Sequence, residues 1–98
     1  MKRNQVDLDA RLVSSDALRH TPAGIPILSF RVAHRSEQLE AGRPRSVEFE
    51  MECVAVGPIA ERIAQVGPGR ELALSGFLAR RNRFSHQTVL YTNDFALK

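Results

Sequence analysis

The sequence has no tryptophan, a single cysteine, and lysine only near its two ends, at Lys2 and Lys98. The lone cysteine, Cys53, has no partner for an internal disulfide, which excludes a disulfide-stapled scaffold. No apolar run approaches the roughly 20 residues that a helix needs to cross a membrane. The first residues lead straight into an amphipathic stretch and carry no signal-peptide pattern. These absences predict a cytoplasmic protein with no membrane partner.

Motifs for catalysis and metal binding are also missing. The chain has no phosphate-cradling glycine loop of Walker type, no ligands at zinc spacing and no carboxylate pair in an acid–base context. The histidines are scattered, and Cys53 falls in an alternating apolar run as a small buried side chain would. We therefore expect no enzyme activity, no cofactor and no bound metal.

Arginine is present in abundance and supplies 12 of the 14 basic residues, although the net charge is only +3. Arginine binds phosphate through two N–H groups and stacks on bases, so this preference suits a nucleic-acid ligand. GC-rich coding would produce the same preference without functional meaning. With 98 residues, 43% hydrophobic and 26% charged, the chain is expected to form one globular domain over residues 1–98.

Five stretches alternate apolar and polar residues with the period of two that is typical of half-buried strands. Between the third and fourth stretches, Ile59, Ile63 and Val66 recur at helical spacing behind Pro58, which suits a first helical turn. The predicted strands are 4–14, 27–35, 47–56, 71–80 and 88–97, the helix is 58–66, and the main connections are a turn at 22–26 and charged loops at 36–46 and 80–87.

Strands two and three are expected to form an antiparallel hairpin. Matching their apolar faces puts Arg31 opposite Glu52 and Arg35 opposite Glu48 on the outer face, where the opposite charges favour the pairing. The inward residues that should oppose one another are Phe30 and Cys53, Val32 and Met51, and His34 and Phe49.

Strands four and five are expected to pair around a bend. Gly76 interrupts strand four, which suggests a bulge of the kind that lets a barrel close. In strand five, Val89, Tyr91, Phe95 and Leu97 share one parity and are predicted to share one face. Three strands, a helix and two more strands is the order of the five-stranded oligonucleotide-binding (OB) barrel, so the predicted fold is all-β with one short helix between strands three and four.

The loop between strands four and five is the sharpest candidate site. OB barrels bind oligonucleotides with this loop, and an aromatic in a wet basic loop offers a stacking surface for a base. The alternative is a solvated hairpin tip with the phenylalanine folded back on the barrel. The candidate nucleic-acid-binding residues here are Arg80, Arg81, Arg83, Phe84 and His86.

Three short motifs stand out, which are Gly24-Ile25-Pro26 with Phe30, His34-Arg35-Ser36 and Glu40-Ala41-Gly42. Together they resemble the bacterial primosomal replication protein N (PriB) family, which is related to single-stranded DNA-binding protein. The runs Cys53 to Gly57 and Gly69 to Gly76 also look like single-stranded DNA-binding protein. The resemblance implies an OB-fold homodimer joined through its first strands. It further implies a primosome subunit that binds single-stranded DNA, helps reload the replicative helicase, and has the helicase PriA and the loader protein DnaT as partners.

The resemblance also implies a second basic site, because the family meets nucleic acid with the loop between strands two and three. Its candidates in this chain are Arg31, Arg35, Arg43 and Arg45. The chain departs from the family at Glu48, where members that bind tightly have an aromatic residue near the start of strand three. The acidic row Glu48, Glu50 and Glu52 would repel phosphate, so we expect weaker and more salt-sensitive binding.

Three other functions stay open. A general single-stranded DNA-binding protein would carry a flexible acidic tail, and this sequence stops directly after strand five. An adaptor that works by protein contact, with a weakened nucleic-acid face, fits the acidic row. An RNA-binding OB module fits the same fold.

Overall fold

The computed structural model describes all 98 residues and contains the five long strands in the predicted order. A short helix lies between the third and fourth long strands, as the sequence predicted, and an additional two-residue strand lies between the first long strand and the turn at 22–26. The elements are β1 Val6–Ser15, β2 Arg19–His20, β3 Pro26–Glu40, β4 Arg43–Val56, α1 Pro58–Ala64, β5 Glu71–Arg80 and β6 Thr88–Leu97. No helix is long and apolar enough to span a bilayer.

The five long strands close into a barrel. The ladder runs β1-β5-β6-β4-β3, and β3 returns to β1, so the sheet has no open side around its middle. All these pairings are antiparallel except β4 with β6, which is parallel and brings Cys53 beside Leu90. This closure, with the helix between β4 and β5, confirms the predicted OB fold.

The core is built from the apolar face of each strand. Alternate residues face inward, and α1 contributes Ile59, Ala60 and Ile63 beneath the barrel. Gly57 holds φ 96° ahead of Pro58, which starts the helix where a missing N–H costs no hydrogen bond. The largest fully buried side chains are Phe30, Leu12, Leu28, Ile63, Leu72, Leu74, Leu90, Val32, Val89 and Cys53.

The prediction of a long charged loop over residues 36–46 is wrong, because most of this segment is strand. β3 and β4 stay paired out to Glu40 and Arg43, and the only turn is Ala41-Gly42. Both turn residues have positive φ, 53° and 78°, which suits the tight turn of a twisted hairpin. This segment belongs to the hairpin arm, the part of the β3–β4 hairpin that leaves the barrel (residues 34–49). The sequence lacks strand alternation here because both faces of the arm are exposed to water, while the backbone ladder still forms.

The predicted parity of strand five is also wrong. The register between β5 and β6 shifts at Ser75 and Gly76, so that Gly76 pairs with Thr92 and Ser75 with Asp94. The unpaired Asn93 reverses the alternation, so Leu90 and Thr92 are buried before it and Phe95 packs on the core after it. Tyr91 therefore faces outward. The bulge itself lies at Gly76, as predicted.

Strand β1 is paired with a different neighbour along each half of its length. Val6 to Arg11 pair with β5, and Arg11 to Ser15 pair with β3. Residues 6–10 pair with β5 on one side and have no neighbouring strand on the other, because β3 turns away there into the hairpin arm.

Candidate nucleic-acid interface

The outer face of the β3–β4 hairpin carries the ion pairs that the sequence predicted. Arg35 opposes Glu48, with Nε 3.5 Å from Oε1, and both side chains are largely exposed. Arg31 opposes Glu52 and contacts its carboxylate, and it also donates to Glu50 Oε1 at 3.3 Å. The predicted register is confirmed along the whole pairing, including Phe30 with Cys53, Val32 with Met51 and His34 with Phe49.

A second arginine reaches the same carboxylate from a separate element. Arg81 follows β5, and its Nη2 lies 3.5 Å from Glu52 Oε2. The fold thus brings two predicted site residues, Arg31 and Arg81, together across 50 positions of sequence. Glu52 is the centre of this cluster, and its side chain is 21% exposed.

The β5–β6 loop, residues 81–87, presents its aromatic residue to solvent. Asn82 organises the turn, since its Oδ1 accepts from Phe84 N at 2.9 Å and its carbonyl accepts from Ser85 N at 3.2 Å. Phe84 is 83% exposed, and Arg83 lies 4.9 Å from its ring centroid. The ring is not folded back on the barrel, so it is accessible to a base. Arg80 and His86 are exposed in the same region.

The remaining candidates lie at the tip of the hairpin arm, beside the Ala41-Gly42 turn. Arg45 pairs with Glu40 at 3.0 Å, whereas Arg43 is exposed without a carboxylate. Four of the nine candidate side chains therefore have an acidic partner in the free protein, and these are Arg31, Arg35, Arg45 and Arg81.

The sequence did not predict a stacked aromatic pair that lies beside the cluster around Glu52. Phe77 and Tyr91 have ring centroids 5.5 Å apart and planes 7° from parallel, and Phe77 is 41% exposed. Tyr91 Oη donates to the Arg81 carbonyl at 3.2 Å, which ties the stack to the β5–β6 loop. The sequence signal was Phe77 on the outward parity of strand four. The pair lines an open apolar groove of about 260 Å³ together with Val54, Val56, Ile59, Thr92 and Asn93.

Phe49 and His34, predicted to face the core, lie beyond it. Phe49 is 41% exposed and packs against the His34 ring at 5.0 Å between centroids. His34 Nδ1 donates to the Asp9 carbonyl at 2.6 Å, and its Nε2 is 2.7 Å from Ser36 Oγ. The inward parity is correct, but the hairpin arm has already left the barrel at this height. An exposed aromatic therefore lies on the face of the hairpin opposite Glu48.

Cys53 is fully buried and takes no part in this surface. Burial raises the pKa of its thiol to about 12, and the charge of the neighbouring Glu52 acts in the same direction. A thiol that stays protonated in the core is inert as a nucleophile.

Residues 4–94 of the chain match the model of a protein family that is described as another single-strand binding protein family. The chain is 40% identical over 94 residues to replication restart protein PriB of Nitrosomonas europaea, an alignment that covers 96% of this chain and 87% of the relative. It is 41% identical over 88 residues to the PriB protein of Bordetella pertussis, covering 90% and 82% of the two chains.

Solved structures give the same result. A PriB structure from Ralstonia solanacearum at 1.8 Å superposes with a TM-score of 0.90 and 31% identity over 98% of both chains. The wild-type single-stranded DNA binding protein of Thermus aquaticus superposes with a TM-score of 0.78 at 22% identity, over 98% of this chain and 50% of that one. This second likeness concerns the fold alone.

Proposed function

The chain belongs to the PriB family of replication restart proteins, within the single-strand binding proteins, and on this premise we propose that it binds single-stranded DNA in the replication-restart primosome. In that role it is an accessory subunit that holds DNA and helps to reload the replicative helicase. It carries out no catalysis of its own. We propose that the whole chain acts as one OB-fold domain, and that it works in the cytoplasm, where bacterial replication forks lie.

One observation carries the DNA-binding proposal. The Phe77–Tyr91 stack is joined by a hydrogen bond to the loop that bears Arg81, Arg83 and the exposed Phe84. Single-strand binding needs aromatic faces for bases beside cations for phosphates, and this surface has both within one hydrogen-bonded unit. The hairpin arm, with Arg43 and Arg45 at its tip, would extend the basic track.

The acidic partners of the arginines determine how strongly we expect the chain to bind single-stranded DNA. Glu48, Glu50 and Glu52 hold Arg35 and Arg31 in the free protein. Phosphate must compete with these carboxylates, so binding should be weaker than a free basic surface would give and should be detectable only at lower salt, while the paired arginines add little to the slope of log K against log salt.

The proposed partners besides DNA are a second copy of the chain, the primosomal helicase PriA and the loader protein DnaT. These follow from family membership. A second candidate function is that of an adaptor that acts by protein contact, and the neutralised arginines favour it.

The test is a titration of fluorescently labelled poly-dT with the full chain at about 50 and 200 mM salt, with poly-U as a parallel probe. We expect saturable poly-dT binding that weakens at the higher salt. Phe77→Ala should weaken it by about tenfold, since stacking on an aromatic is worth roughly 1–3 kcal/mol per base. Ile25→Ala, which truncates a comparably exposed apolar side chain in the turn before β3, is the control.

Each other outcome has a defined meaning. Absence of poly-dT binding at low salt, with the fold intact by circular dichroism, would favour the adaptor. Tighter binding of poly-U would assign the surface to RNA. Equal losses for Phe77→Ala and Ile25→Ala would remove the aromatic stack from the site.

A further inference from the structure

Glu52 is held between two guanidinium groups. Its Oε1 accepts from Arg31 on the neighbouring strand β3, and its Oε2 lies 3.5 Å from Arg81 Nη2. The register of the hairpin puts Arg31 opposite Glu52, and the parallel contact of β4 with β6 brings the β5–β6 hairpin alongside. Each oxygen of one carboxylate thus has its own arginine.

This arrangement has the geometry of an anion site that is already filled. A phosphodiester, like a carboxylate, carries one negative charge on two free oxygens, and arginine binds both groups through paired N–H donors. The side chains of Arg31 and Arg81 remain 41% and 34% exposed, so solvent and ligands can reach them. The Glu52 side chain is 21% exposed, so the pairs are only partly screened by water, but a phosphate can reach both guanidinium groups from the solvent side.

The charges at the cluster also balance. Arg31 and Arg81 contribute two positive charges, while Glu50 and Glu52 contribute two negative charges. In the free protein the cluster therefore attracts no excess of anions, and it becomes basic only when a carboxylate leaves.

We infer that Arg31 and Arg81 form a phosphate subsite that Glu52 occupies in the free protein, and that a backbone phosphate of the single strand displaces the Glu52 carboxylate on binding. The inference rests on the proposed function and adds a regulatory residue to that site. Because Arg81 also presents its carbonyl to Tyr91 Oη, the displaced carboxylate opens a phosphate position next to the Phe77–Tyr91 stack.

The exchange has a measurable signature. When a phosphate displaces Glu52, the freed carboxylate still offsets the charge of one arginine, so the exchange frees few of the cations condensed on the DNA and these two arginines add little to the salt dependence of binding in the wild type. Glu52→Gln removes the competing charge and keeps the shape of the side chain. It should tighten poly-dT binding by about tenfold, near the worth of one charge-assisted hydrogen bond. It should also steepen the slope of log K against log salt by about 0.7, the value for one added phosphate contact on a single strand.

The experiment compares wild type, Glu52→Gln and Glu61→Gln in poly-dT titrations across the salt range. Glu61 is an exposed helix residue with no ion pair, so its variant makes the same change in net charge away from the subsite. A fourth protein, Glu52→Gln with Arg81→Ala, should lose most of the gain, because the gain requires the freed arginine.

The outcomes separate this inference from the proposed function. If the wild type binds poly-dT but Glu52→Gln matches Glu61→Gln in both affinity and slope, the displaced carboxylate is rejected while DNA binding stands. If neither protein binds, both proposals are overturned. If Glu52→Gln weakens binding while its melting curve stays unchanged, Glu52 supports the site rather than competing for it, and the inference is again overturned.

Discussion

Gly76 is the residue on which the pairing of β5 with β6 depends. It is buried at the bulge, and a Cβ placed there would lie 2.0 Å from the Tyr91 carbonyl oxygen and 2.8 Å from the Tyr91 carbonyl carbon. These neighbours are backbone atoms of the paired strand and cannot rotate away. The need for glycine at this position is therefore steric.

Gly76→Ala should lower the free energy of unfolding by roughly 1–3 kcal/mol, the usual cost of forcing extra volume into packed structure. Urea denaturation followed by circular dichroism measures it. Gly67→Ala is the matched control, because its Cβ would meet nothing within 4 Å and its φ is not positive. That variant should be neutral or slightly stabilising. Equal stability of the two variants would contradict the steric argument.

The buried thiol of Cys53 should make the stability of the fold decrease as pH rises above 9. Its thiol has a pKa of about 12 when folded, against 9.0 as the ordinary value, chiefly because of burial. Between these values the unfolded chain releases a proton that the folded chain keeps, so rising pH favours unfolding. The contribution of Cys53 to stability is present below pH 9 and lost towards pH 12.

The measurement is the stability of wild type and Cys53→Ala as a function of pH. Wild type should lose more stability than the variant as pH rises above 9, and the thiol should react with a disulfide reagent only through unfolding. Parallel pH curves for the two proteins would show that the thiol does not titrate differently on folding.

At the scale of elements, two projections leave the barrel, and both bear arginine. The β3–β4 arm is a paired ladder, ordered by its backbone up to the Ala41-Gly42 turn. The β5–β6 loop is held by Asn82 and by Tyr91 Oη. In each projection the side chains stand in water while the backbone is fixed, which is the arrangement that orients cations at low entropic cost.

Substitutions in the β5–β6 loop should distinguish the contribution of charge to DNA binding from the contribution of stacking. Arg83 has no carboxylate partner, so Arg83→Ala should weaken poly-dT binding and flatten the salt slope by about 0.7. Phe84→Ala should weaken binding with little change of slope, because stacking releases few counterions. Neither change should lower the melting temperature, since Phe84 is 83% exposed.

Arg62→Ala is the control for Arg83→Ala, since it removes one exposed arginine from the helix. If the loop variants bind as the Arg62 variant does, the loop lies outside the DNA path.

At the scale of the whole molecule, closure of the barrel leaves one incomplete strand edge. Over residues 6–10, β1 bonds β5 on one side only. Asp9 directs its carbonyl to His34 and hence away from β5, and the period of two puts Asp7 on the same side. An unpaired edge of this kind is a template for a second strand.

We therefore expect a two-fold dimer that pairs the 6–10 edges, measured as mass by light scattering at micromolar concentration. Asp7→Pro removes the N–H on that side and should give a monomer. Asp7→Ala keeps the N–H and loses only the side-chain bonds from Ser75 and Gln5, so it should remain a dimer. A monomeric wild type would contradict the assembly.

Local sequence patterns were enough to predict the order of the five long strands, the position of the helix, the bulge at Gly76 and the register of Arg31 and Arg35 against Glu52 and Glu48. These features follow from short-range periodicity and from two adjacent strands whose apolar faces must match. Tertiary structure alone decided the rest. The extra residue at Asn93 reversed which side chains of β6 face the core. The exposure of both faces of the hairpin arm removed the apolar alternation from its sequence, so that a paired hairpin resembled a loop. The meeting of Arg81 with Glu52, and of Phe77 with Tyr91, depends on barrel closure between strands distant in sequence, which no local pattern encodes.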